Sequence, residues 1–217
     1  VKNAESTLSF VEMSKLRYAQ LSFDLQRYVD AYNGYLSLFE TTNIESNRTA
    51  AREGMMLSAY RSKDYEKAVM AATSVISDAD TDKDVKVEAK YIKAKSLLAT
   101  SKRNDAMKLF AELGATPSTP RGAESKYLLI QNLFDTANFD SVESEVYDFS
   151  QKAGNQSYWL AKAYLVLGDS FVERGSYEQA KATYESIGEG YQAPSAGDDI
   201  ADNVKKRLDR LAGLMEK

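Results

Sequence analysis

The chain has 217 residues, 28 lysines and arginines against 32 aspartates and glutamates, a formal charge of -4 and a pI near 5.1. Its 43% hydrophobic and 28% charged residues are the composition of a folded domain rather than of a disordered segment. The absence of cysteine and histidine excludes disulfides, thiolate chemistry, most zinc sites and every histidine-based triad, and the mild acidity argues against a nucleic-acid backbone as partner.

Only three prolines occur, all after residue 116, so long uninterrupted helices are permitted. One short pattern recurs along the chain: a polar turn, often an aromatic residue, two spacers and a small residue. It reads Tyr28–Ala31, Tyr65–Ala68, Arg103–Ala106, Phe139–Val142 and Tyr177–Ala180, with small positions 37, 38, 36 and 38 residues apart. Four residues on come Tyr35, Ala72, Phe110, Val146 and Tyr184, and seven on come Leu38, Val75, Leu113, Phe149 and Ile187. Those spacings put all of them on one helix face. Nine residues before the small position come Ser22, Ala59, Leu97, Leu133 and Phe171, which predicts an earlier helix in each unit. Five units follow, near residues 8–43, 48–80, 85–117, 122–154 and 157–192, each two helices joined by a short turn. The small residue lets the paired helices approach, and a large one at Ala68 or Ala180 is expected to overpack at a cost of about 1–3 kcal/mol.

Turns between units are expected at 41–47, 78–84, 114–122, 153–157 and 188–199; the Pro- and Gly-rich stretch from Gly114 to Gly122 is the clearest helix stop and reads as a long rigid turn, the alternative being a hinge between a three-repeat half and a two-repeat half. The lysines at 83, 86, 90, 93 and 95 are interleaved with Asp78, Asp80, Asp82, Asp84 and Glu88, which leaves little net field. Asn47-Arg48-Thr49 and Asn155-Gln156-Ser157 match the glycosylation triplet but read as turn residues. Residues 198–217 read as a final helix capped by Asp198 or Asp199. It carries Ile200, Val204, Leu208 and Leu211 on one side and shields the last repeat. The amino end has no comparable cap: Leu8, Val11 and Leu16 face either a preceding repeat or a second copy of the chain, so a homo-oligomer through the N-terminal end is one expectation. The chain starts at Val1, without methionine or a signal-peptide pattern, and reads as a piece of a longer protein.

No stretch is apolar enough to span a bilayer, so no transmembrane segment is expected. Gly188-Glu189-Gly190 lacks the lysine and the preceding strand of a phosphate loop, and Glu143 and Glu145 lie two apart on a helix and so on different faces. No enzyme activity, cofactor or metal is expected.

The last unit carries a resemblance. Tyr164-Leu165-Val166-Leu167-Gly168-Asp169-Ser170-Phe171, followed by Gly175, Tyr177, Ala180 and Tyr184, resembles a tetratricopeptide repeat, with Tyr164 in place of the usual tryptophan. The proline expected twelve residues after Ala180 is Gln192, with Pro194 two places late. Elsewhere the glycine position is Ala19, Met56, Ala94 or Ile130, and the interval is longer than the usual 34. Over residues 8–192 the chain is most similar to the repeat regions of bacterial cell-envelope members of this family, which points to the periplasm or the outer membrane, with the cytoplasm as alternative.

The resemblance implies an all-α, right-handed α-solenoid of about five antiparallel helical hairpins with a C-terminal capping helix. It also implies a non-catalytic scaffold that holds a peptide or partner protein in a concave groove lined by the first helix of each hairpin. The groove candidates by position are Gln20 and Phe23; Glu53, Leu57, Tyr60 and Arg61; Glu88, Tyr91 and Lys95; Tyr127, Gln131 and Phe134; and Lys162, Leu165 and Asp169. Tyr60, Arg61, Glu88, Tyr91, Lys95, Tyr127, Gln131, Phe134 and Asp169 are the strongest of these. The family's clamp for a terminal carboxylate is not expected, because its cationic positions read Leu16, Gln20, Gly54, Glu88 and Ile92, or one repeat later Glu53, Leu57, Ile92, Glu124 and Leu128. The alternative is a structural or self-associating segment of a longer repeat protein that makes its contacts through its ends.

Overall fold

The computed structural model describes residues 2–193 and 197–216, with side chains from residue 10 onward. Pro194 and the side chain of Leu8, both invoked above, lie outside the described residues. Eleven helices and no strand occur among them: α1 (Lys2–Asp24), α2 (Tyr28–Thr41), α3 (Glu45–Arg61), α4 (Tyr65–Ser77), α5 (Lys83–Ala99), α6 (Arg103–Gly114), α7 (Pro120–Asp135), α8 (Phe139–Lys152), α9 (Ser157–Glu173), α10 (Tyr177–Gly190) and α11 (Ile200–Met215). No helix among the described residues is long and apolar enough to cross a membrane. The fold is an all-α helical repeat in which neighbouring helices pack consecutively within each of two compact units, residues 1–109 and 110–217. The division falls inside α6, not in the loop between α6 and α7.

The repeat is written into the backbone at the turn inside each hairpin. Gln26, Lys63, Ser101, Ala137 and Gly175 adopt φ of 58°, 63°, 62°, 56° and 73°. At each, two amides return to the preceding helix. In the first hairpin Arg27 N donates to Ser22 O at 2.8 Å and Gln26 N to Phe23 O at 2.9 Å. In the last, Ser176 N donates to Phe171 O at 2.8 Å and Gly175 N to Val172 O at 3.0 Å. This is the Schellman pattern, which satisfies the last helical carbonyls and reverses the chain. The left-handed residues are 37, 38, 36 and 38 apart, the interval of the small residues. An aromatic pair brackets several of these turns: Phe23–Tyr28, Tyr60–Tyr65 and Phe134–Phe139, with ring centroids 5.3, 6.3 and 5.8 Å apart.

In the first unit α1, α3 and α5 are neighbours in one layer, and α2 and α4 pack between them as the second. Ala31 and Ala68 are wholly buried, and so are Leu38, Ala72 and Val75 one and two turns on. A Cβ on Gly34 would lie 3.0 Å from the Cβ of Ala19, which shows how closely α1 and α2 approach. A polar clasp ties the ends together: Glu12 accepts from Thr42 Oγ1 and Asn47 Nδ2, both at 2.7 Å. These two bonds hold its carboxyl below the usual range.

In the second unit α7, α9 and α11 form one layer and α8 and α10 the other, so α11 stands where the first helix of another hairpin would. Val142, Val146, Phe149, Ala180, Tyr184, Ile200 and Leu211 join one core. Gly168 makes room for a ring: a Cβ there would lie 2.2 Å from Cε1 of Tyr184. Lys126 is nearly buried but pairs with Glu145 and, at 2.9 Å, with Asp148. Burial opposes its charge, yet the two carboxylates outweigh burial and keep the ammonium above its ordinary value.

Several sequence expectations need correcting. Gly122 and Pro120 belong to α7, where Thr119 Oγ1 caps the helix by accepting from Gly122 N at 3.1 Å; the loop itself is only 115–119. Asn47 is not a turn residue but the third residue of α3, with its amide committed to Glu12. Leu16 packs inward against Ala19, Ala31 and Tyr35, while Val11 stays exposed. Of the two expected caps of α11 it is Asp198 that accepts from Ile200 N, at 2.9 Å, while the carboxylate of Asp199 pairs with Tyr158 and Lys162.

Candidate functional site

The candidate face is the layer of first helices, described unit by unit. In the first unit α3 and α5 supply it. Arg61 is exposed in the last turn of α3, and Tyr60 beside it is half-buried against Tyr65. Glu53, about two turns earlier on α3, has its carboxyl raised by burial and then by the charge of Asp82. On α5, Glu88 and Lys95 are partly exposed, two turns apart. Tyr91 between them is only 5% exposed, with Lys95 Nζ 5.8 Å from its ring centroid. Tyr91 is therefore a core side chain that supports the lysine, not a contact residue, which corrects the sequence reading. The helical period placed it on the face, but it could not show how deep that face lies.

In the second unit the face is built by α7, α9 and α11. Tyr127 of α7 stacks on Trp159 of α9, with centroids 5.5 Å apart, and Tyr158 meets Trp159 edge-on at 5.0 Å. Lys162 Nζ lies 5.1, 5.8 and 5.9 Å from the ring centroids of Tyr158, Tyr127 and Trp159, and 3.6 Å from Asp199 Oδ2. Burial opposes the lysine charge, but Tyr158 and Asp199 outweigh it and hold the ammonium above its ordinary range. Farther along α9, Asp169 takes Arg207 of α11 with both oxygens, Nη2 to Oδ2 at 2.8 Å and Nε to Oδ1 at 2.9 Å, and accepts from Tyr184 Oη at 2.7 Å. Such forked charge-assisted pairing is among the stronger hydrogen bonds.

These contacts sort the remaining candidates. Asp169 is committed to Arg207 and Tyr184, so it is an internal clasp between α9, α10 and α11 rather than a free anion for a partner; its partner on α11 lies 38 residues away and was invisible to a local pattern. Leu165 is 3% exposed and belongs to the core. Phe134 packs on Phe139 and, with Asp169 and Arg207, lines a cleft of about 410 Å³ beside α11. Gln131 is partly exposed and donates to Asp135 Oδ1 at 2.9 Å. The residues that sequence reasoning missed are Tyr158, Trp159 and Arg207. Continuing the three- and four-residue spacing back from Asp169 through Lys162 reaches Tyr158 and Trp159; no local signal points to Arg207.

Two larger clefts lie off this face. One of about 570 Å³ lies against α8, α9 and α10, lined by Tyr147, Leu160, Tyr164, Ile187 and Tyr191 among others. Another of about 620 Å³ lies beside α1 and α2, lined by Phe10, Val11, Tyr18 and Gly34 among others. Among the described residues no group of three or more acidic side chains has a metal-holding arrangement. Compared with known proteins, the chain matches no family model, no curated protein and no solved structure.

Proposed function

We propose that this chain is a tetratricopeptide-like, non-catalytic binding scaffold that holds a peptide or partner protein on the layer of first helices. The reading is supported most by one observation: in each unit the second helices bury their repeated positions, while the first helices keep side chains at least partly exposed, Tyr60 and Arg61 on α3, Glu88 and Lys95 on α5, Tyr127 and Gln131 on α7, and Lys162 on α9. Arg61, Glu88, Lys95, Tyr127, Gln131 and the Lys162 cluster offer aromatic contact area beside groups that set register, as peptide-binding surfaces do. The carboxylates of Asp148, Asp169 and Asp199 are paired with Lys126, Arg207 and Lys162. The resemblance extends the proposal to a place in a bacterial envelope.

The test is capture of a partner by the immobilised chain, with Arg61→Glu and Gln131→Ala on the proposed face and Lys181→Ala on α10 as control. These positions are exposed or partly so, and the fold should tolerate the changes. A partner lost from the first two variants and kept by the third supports the reading; one kept by all three refutes it. A second reading, contact through an end of the helical array, is favoured by the exposed apolar stripe of α1.

A further inference from the structure

On α1 and at the first residue of the turn that follows it, Phe10, Met13, Tyr18, Leu21 and Leu25 are exposed by 76, 59, 56, 59 and 56%. With Ser14 and Arg17 they form a single stripe at three- and four-residue spacing. Five such side chains, each offering on the order of 100 Å², make a patch of about 500 Å². Doubled, that reaches the roughly 1,000 Å² at which specific interfaces begin.

The occupant of this stripe is not another hairpin stacked in register. At the matching positions α3 carries Ala51, Gly54 and Ser58, and α5 carries Ala89, Ile92 and Ser96, all buried. Gly54 faces the ring of Tyr35 of α2, where a Cβ would lie 2.4 Å from it. In α1 the same positions are Ser14, Arg17 and Leu21. A helix seated on α1 as α2 sits on α3 would press on Leu21 where a serine is wholly enclosed.

The stripe is complementary to itself instead. About the point midway between residues 17 and 18, Phe10 pairs with Leu25, Ser14 with Leu21, and Arg17 with Tyr18. Run antiparallel, each large side chain on one copy meets an apolar or small one on the other, and each cation meets a ring. That is the condition for an isologous two-fold contact. We propose that two copies of the chain pair through antiparallel α1 helices about an axis between Arg17 and Tyr18. The inference rests on the end-contact reading and is independent of the first-helix face.

Sedimentation equilibrium and thiol cross-linking test it, because the chain has no cysteine of its own. The wild-type chain is expected at twice its 24.2 kDa mass at micromolar concentration. Leu21→Asp should weaken the dimer on the order of 100-fold while leaving the helical circular dichroism spectrum at room temperature unchanged. A short bismaleimide should join two copies of Tyr18→Cys but not of Phe10→Cys, whose copies would lie about 22 Å apart along the helices. A single-chain mass at all concentrations overturns the proposal, and with it self-association through this end. A dimer indifferent to Leu21→Asp, or cross-linked equally through Phe10→Cys, overturns the proposal and leaves the end-contact reading standing.

Discussion

Gly168→Ala is the sharpest probe of how the last hairpin is packed. The added Cβ would lie 2.2, 2.7 and 2.8 Å from Cε1, Cζ and Cδ1 of Tyr184, against an ordinary carbon–carbon separation of about 3.5–4.0 Å. Relief needs a movement of more than ~1 Å, and Tyr184 is only 1% exposed, so its ring has nowhere to turn. Its hydroxyl is also tied to Asp169. Overpacking of this kind costs about 1–3 kcal/mol, and the upper end applies here. Replacing a mid-helix glycine with alanine returns roughly 1 kcal/mol of propensity, so the net loss should be about 2 kcal/mol, a fall in Tm of roughly 4–8 °C. Gly213→Ala is the control: it lies within α11 with nothing within 4 Å of a new Cβ, and it should gain stability. Thermal melts followed at 222 nm read both. In a Tyr184→Leu background the penalty at Gly168 should shrink by more than half. A Gly168→Ala variant as stable as wild type, or one whose loss is the same with and without the ring, would refute the argument.

Ala137 holds a left-handed turn that costs an L-residue about 1–2 kcal/mol, so Ala137→Gly should raise the urea midpoint by an amount equivalent to roughly 0.5–1 kcal/mol, and Gly175→Ala should lower it. Ser58 Oγ and Ser96 Oγ are buried without a hydrogen-bond partner; Ser58→Ala and Ser96→Ala should each stabilise by about 1 kcal/mol, and destabilisation would mean the hydroxyls are satisfied. The carboxyl of Asp148 is held below its ordinary value by Lys152 and Lys126, and that of Asp78 by Thr81 and, less strongly, Arg52. A depressed carboxylate contributes stability that is complete above its unfolded value near ~4 and lost as pH falls through the folded one. With no histidine in the chain, Tm should be flat from about pH 6 to 8 and fall below about pH 4, less steeply in Asp148→Asn.

The helical class, the hairpin interval and the buried face of every second helix were legible in the sequence. Ala31, Ala68, Ala106, Val142 and Ala180 are all wholly buried, as are Leu38, Val75, Phe110, Val146 and Phe149. Those features depend on the 3.6-residue period, which any short window of residues records. The turns were half legible: Gly175 advertises its left-handed backbone, but Gln26, Lys63, Ser101 and Ala137 adopt it with no glycine to mark them.

The candidate face was less legible, because depth and pairing depend on neighbours far along the chain. Tyr91 and Leu165 share the spacing of the exposed candidates yet are buried, and nothing local separates them. Asp169 finds Arg207, Asn47 finds Glu12 and Lys126 finds Asp148 across 38, 35 and 22 residues, distances at which the partner depends on which helix is packed alongside. Sequence periodicity alone thus determined which side of each helix turns inward, since that is a property of one helix. Only the tertiary structure decided which charges are consumed and which rings gather around Lys162, since each is a property of two helices meeting.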